Sequence, residues 1–199
     1  MTTRSFSNGL NPLNDEQKKE LLRVARTTIE EYIRHGKKHE VKEADPRLME
    51  RGEGAFVTLH KPDHRLRGCI GRIVAAESLC YLVRDMAIAS ATQDPRFRPV
   101  QADELDGLDV EVSVLSKPRL IKNTDEIQLG VHGVIISKSP YYHGVFLPQV
   151  ATETGWSKEE FLSQLCSQKA GLSADCWKND PQVKMEIFTA DVFAEKELK

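Results

Sequence analysis

No apolar run in the 199 residues approaches the length of a membrane span. The polar stretch Met1 to Leu13 has no apolar h-region, so no secretory signal is expected. The four cysteines, Cys69, Cys80, Cys166 and Cys176, include no Cys-x-x-Cys pair, which argues against a structural zinc. With no secretory signal the expected compartment is the reducing cell interior, and all four thiols are expected free. Charge of one sign is also lacking: 28 Lys+Arg against 30 Asp+Glu leave a formal −2. That disfavours nucleic acid as a partner, because its binders carry a basic footprint. No glycine pair is followed by the Lys-Ser/Thr of a phosphate loop, so a Walker-type nucleotide site is unsupported. No His-x-x-His or local His-carboxylate cluster suggests a metal, and none is expected. There is no repeat, low-complexity block or interdomain linker, and Trp156 and Trp177 read as core anchors rather than base-stacking platforms.

What is present suits a folded globular chain, with 40% hydrophobic and 29% charged residues. One domain over 14–195 with two intimate subdomains is expected, flanked by flexible termini at 1–13 and 196–199. Asn14 and Gln17 can form a capping box, Leu21, Leu22, Ala25, Ile29, Tyr32 and Ile33 share a helical face, and Gly36 stops the helix. Ala55–His60 and Arg65–Gly71 read as strands joined by the turn Lys61-Pro62-Asp63-His64. A helix follows over about 77–92, with Cys80 beside its apolar stripe as a buried small hydrophobe. In Leu108–Leu115, Val110, Val112 and Val114 point one way and Glu111 and Ser113 the other. Further on come an apolar run Val134–Ile136, a turn Ser137–Pro140, a strand Tyr141–Leu147 stopped at Pro148, a helix capped by Ser157, a helix-ending segment Lys169–Leu172 and a last strand Val183–Phe193. Hairpins and separated helices without βαβ alternation predict an α+β fold on mostly antiparallel sheet, flanked by helices.

The candidate site is Leu66-Arg67-Gly68-Cys69-Ile70-Gly71. Glycine within a strand marks a bulge or a close approach to the backbone, so Gly68 and Gly71 leave the Cys69 thiol with little cover from its own strand. On a regular strand Arg67 and Cys69 share a face, and a guanidinium there favours the thiolate needed for nucleophilic chemistry. His60 and His64 lie in the same hairpin as candidate bases, and Glu111 projects from the polar face of its strand as a third catalytic candidate. The competing reading is that Cys69 packs quietly, Arg67 pairs with Glu111 and the histidines cap a turn. A second cluster, His132, Gly133, Tyr142, His143, Gly144 and Gln149, has the residue types of a small-molecule pocket, with a glycine-dependent hairpin as the plainer account.

Leu66-Arg67-Gly68-Cys69-Ile70-Gly71 resembles the signature of the AMMECR domain family. The likeness continues through Asp94-Pro95-Arg96-Phe97, Glu111 to Ser116, Gly133-Val134, Leu147 to Ala151, Trp156 and Lys169 to Leu172, covering roughly 16–195. Arg98 stands where the family often has proline, and Phe146 where it often has leucine. The resemblance implies a two-subdomain α+β fold, and a part in a chemical pathway beside Memo-like proteins and radical-SAM enzymes, to which similar proteins are fused or near which they are encoded. It implies no particular cofactor or reaction. Two functions are therefore expected to compete: an enzyme or enzyme subunit centred on Cys69 with Arg67, acting on a small molecule or protein, and a non-catalytic module whose glycine-flanked strand docks such a partner. Nucleic-acid binding is the weaker third.

Overall fold

The structure, a computed structural model, describes residues 12–198 except residues 43 and 51. The flexible start expected for 1–13 lies outside the described residues up to residue 11, as does Lys199. The chain divides into two units, one of residues 1–114 with 192–199 and one of 115–191.

In the first unit, α1 (Asp15–His35) opens with the expected capping box: the Asn14 side chain accepts from the Gln17 amide, and the Gln17 side chain accepts from the Asn14 amide. It ends at Gly36, whose φ of 66° favours glycine. The hairpin β1 (Gly54–His60) and β2 (Leu66–Arg72) is antiparallel. It is followed by α2 (Leu79–Thr92) and β3 (Asp109–Leu115), and the sheet closes with β8 (Ala190–Ala194) in the order β2-β1-β3-β8. Helix α2 packs on β1 and β2, and α1 packs on α2. Between them lie Leu21, Ile29, Val57, Leu59, Leu82, Val83, Val110 and Val112, all at 0% exposure. The first sheet therefore has one apolar face under α2 and a second, polar face. Beyond β8, Glu195 accepts from the Arg26 guanidinium, and Leu198 packs against the core.

The second unit carries β4 (Arg119–Leu120), β5 (Gly133–Ser139), β6 (Tyr142–Phe146) and β7 (Lys184–Phe188) in the order β4-β7-β5-β6, with antiparallel pairing throughout. Helices α3 (Pro148–Thr154), α4 (Lys158–Gln164) and α5 (Cys176–Asn179) complete it. Val134, Ile136, Phe161, Leu162 and Leu165 form its core, each at 0% exposure. Together the two units are α+β.

Four expectations change here. The Ser137–Pro140 turn is shorter, because β5 runs to Ser139 through a register slip between Ser137 and Ser139. Pro148 starts α3 as well as stopping a strand, since proline at the first helical position lacks only an amide hydrogen that would go unbonded there. The single last strand is two. It breaks at Thr189, which exchanges hydrogen bonds with Ser116, and its halves β7 and β8 join different sheets. Finally, Cys166 and Cys176 are not free thiols but a disulfide, at a sequence separation of 10. Residues 165–169 form a π-helical turn, and Cys166 faces Cys176 across the loop at Gly171, both buried in the second core.

Candidate functional site

The glycines of the signature are placed by packing. A Cβ on Gly68 would overlap the carbonyl oxygen of Ser90, so the end of α2 passes directly over β2. A Cβ on Gly71 would overlap the ring of Phe56, its partner across the hairpin. Both positions require a neighbouring atom to approach the backbone closely.

Cys69 pairs with Thr58, whose hydroxyl donates to the Cys69 sulfur at 3.3 Å. Because Val57 and Leu59 face α2, Phe56, Thr58 and His60 face the other way, and Cys69 and Gly71 lie opposite them on the same side. In β3 the valines are in the core, so Glu111 and Ser113 join this polar face. His60 Nε2 lies 3.8 Å from Glu111, within electrostatic reach but too long for a hydrogen bond. His60 follows Thr58, the partner of Cys69, by two residues, and across the bulge it pairs with Leu66. Burial raises the Glu111 pKa above its ordinary value, and His60 opposes that shift. The Cys69 thiol is half-buried, whereas Cys80 is fully buried and its thiol is pushed up to about 11 by desolvation.

Arg67 is used elsewhere. Leu59 pairs with Gly68 but His60 with Leu66, so Arg67 is the extra residue of a bulge, and the regular alternation that paired it with Cys69 does not extend to it. Its Nε and Nη2 fork onto Glu104 at 2.9 and 2.6 Å, and its Nη1 donates to the Arg98 carbonyl at 2.9 Å. It lines a cavity of about 330 Å³ with Lys61, Pro62, Asp103, Glu104 and Leu108, which Cys69 does not line. The pairing expected of Arg67 with Glu111 is thus replaced by one with Glu104.

The groups that do hold Cys69 come from the segment after α2. Asp94 accepts the Cys69 amide hydrogen at 2.8 Å, and Ser90 Oγ accepts that of Ile70 at 2.8 Å while donating to the Val57 carbonyl. Asp94 is buried, and Arg96 donates to it from its amide, Nε and Nη2. These bonds, Arg96's side-chain bonds foremost, hold the Asp94 carboxyl well below the usual carboxylate range. The Arg96 pKa rises in turn, first through those bonds and then through the charge of Asp94.

The matching family model, AMMECR1, spans residues 22–193. The chain belongs to the AMMECR1 family. Protein TK0174 of Thermococcus kodakarensis is 44% identical over 193 residues, covering 92% of this chain and 93% of its own. Protein PH0010 of Pyrococcus horikoshii is 44% identical over 194 residues, covering 92% of each. The crystal structure of the uncharacterized protein PH0010 matches with a TM-score of 0.80 at 42% identity, over 92% of this chain and 94% of that one.

In this AMMECR1-family chain the remaining candidates stay apart. His64 is an exposed turn residue with φ of 63°. In the second unit, His132 Nδ1 accepts the Gln128 amide hydrogen at 3.1 Å, and burial lowers its pKa. His143 sits exposed on β6 opposite Ser137, and Gln149 is exposed on α3. Gly144 gives room to the backbone of Ala170, as a packed hairpin requires. Among the described residues no group of His, Cys, Asp and Glu could hold a metal ion, and no helix is long and apolar enough to cross a membrane. Asp94, Arg96, Ser90 and Thr58 were not expected as site residues. The available signal was Asp94 itself: an acidic residue just past a helix C-terminus sits at the unfavourable end of the dipole and needs a partner.

Proposed function

We propose that the chain is an enzyme, or an enzyme's catalytic subunit, that uses Cys69 as a nucleophile on a small-molecule or protein substrate. One observation carries this reading: the half-buried thiol lies on a sheet face whose other polar members include His60 and Glu111, close enough to each other to interact. In this role His60 takes the thiol proton and Glu111 stabilises the imidazolium that results. Asp94 and Ser90 fix the main chain of the nucleophile, and Thr58 orients its sulfur. Arg67 becomes a positioning residue that ties β2 to Glu104.

The competing module, in which β2 adds a partner strand, is disfavoured by one of these bonds. Adding a strand needs free backbone groups on the edge. The Cys69 amide on that edge is already taken by Asp94. Native alkylation with iodoacetamide, mapped by mass spectrometry, tests the proposal. Cys69 should be modified well before Cys80. Equal rates would remove the nucleophile.

A further inference from the structure

We infer that the Cys69 site takes substrates bearing an anionic group, a carboxylate or a phosphate, and that Arg96 binds that group. This rests on the reading of Cys69 as the nucleophile. An exposed arginine ordinarily samples many rotamers and gains little from a surface ion pair. Arg96 has a side chain 55% exposed, yet its Nε and Nη2 bond Asp94 at 3.0 and 2.7 Å, and the Asp94 side chain is only 2% exposed. Its Nη2 also reaches the Cys69 carbonyl at 3.4 Å, and its guanidinium lies 5.5 Å from the Phe97 ring centroid. Among the described residues Nη1 has no hydrogen-bond partner. The result is a planar cation whose Nε and Nη2 are held by Asp94 and the Cys69 carbonyl, which attaches it to the backbone of the nucleophile itself and leaves Nη1 open. The Nη1 N–H groups are preoriented donors for an oxygen of a carboxylate or phosphate, with the ordering cost already met by folding. If Arg96 served only to neutralise Asp94, the charge of an incoming reagent would not matter to the thiol.

The experiment compares iodoacetate with iodoacetamide on the native protein at low ionic strength, quantifying the Cys69 adduct. In both, the thiolate sulfur forms a bond to carbon as the carbon–iodine bond breaks and iodide leaves. The two reagents differ in charge at nearly equal size. The iodoacetate-to-iodoacetamide rate ratio, normalised to that of N-acetylcysteine, is expected to be about tenfold higher at Cys69, the gain of one charge-assisted contact. Arg96→Gln should return the ratio to the reference. Inorganic phosphate should slow iodoacetate on the wild-type protein while leaving iodoacetamide unchanged, which keeps the question decidable if Arg96→Gln does not fold. A normalised ratio of one, or a raised ratio that survives both Arg96→Gln and phosphate, overturns the inference and leaves the nucleophile standing. Failure of both reagents to modify Cys69 overturns both readings, whereas failure of iodoacetate alone overturns only the inference.

Discussion

The Asp94 carboxylate and the Cys69 amide nitrogen are 2.8 Å apart, and this bond joins the segment after α2 to the outer edge of β2. It makes the two motifs Arg-Gly-Cys-Ile-Gly and Asp-Pro-Arg-Phe a single structure. Asp94→Asn keeps an acceptor for the amide but loses the ionic bond to Arg96, and should cost about 2 kcal/mol at neutral pH. Because the folded pKa is depressed, the ionic contribution is complete above the unfolded value near 4 and is lost as pH falls below it. Urea unfolding of both proteins should therefore show a gap at pH 7 that narrows steadily below about pH 4.

Gly68 and Gly36 should respond to alanine for different reasons. At Gly68 the new methyl meets the Ser90 carbonyl, a backbone atom that can move only by shifting α2, so a loss of at least about 2 kcal/mol is expected. At Gly36 there is open space around the new methyl, and only the positive φ resists, at about 1 kcal/mol. Chemical unfolding of the two variants measures this order directly.

The Cys166–Cys176 disulfide closes a short loop in the second unit. A thiol assay on the unfolded, unreduced protein should report only Cys69 and Cys80, the two free cysteines. Replacing both bonded cysteines with alanine should lower stability by about 2–3 kcal/mol on loop-entropy grounds.

Glu111 should trade stability for function. Burial raises its pKa in the folded state, so ionising it at neutral pH costs folding free energy, and the cost disappears once pH falls below the unfolded value near 4.3. Glu111→Gln is expected to raise the unfolding midpoint at pH 7 but not at pH 3.5, and to slow alkylation of Cys69. Thermal unfolding at the two pH values tests the first part.

The sequence displayed the features set by local patterning. The Asn14–Gln17 box, the Gly36 stop, the hairpin and the valine alternation in β3 all follow from residues a few positions apart. What it concealed depends on contacts between distant positions. Asp94 and Cys69 are 25 residues apart. The bulge at Arg67 is a matter of register against β1, so a strand taken as regular assigns that side chain wrongly. Val183–Phe193 reads as one apolar strand because each half carries buried apolar residues, Ile187 and Phe188 in one and Phe193 in the other, and the exchange between Thr189 and Ser116 marks the break. The cysteine pair carried no close-spacing signal, because its partners meet across a loop.

In the proposed function His60 serves the Cys69 thiol as its base. This role is tested most directly by the second-order rate of Cys69 alkylation by iodoacetamide at pH 7 in the wild type and in His60→Ala, with Cys80 as the internal reference. A fall of about tenfold or more at Cys69 and no change at Cys80 are expected. Equal Cys69 rates in the two proteins would contradict this role.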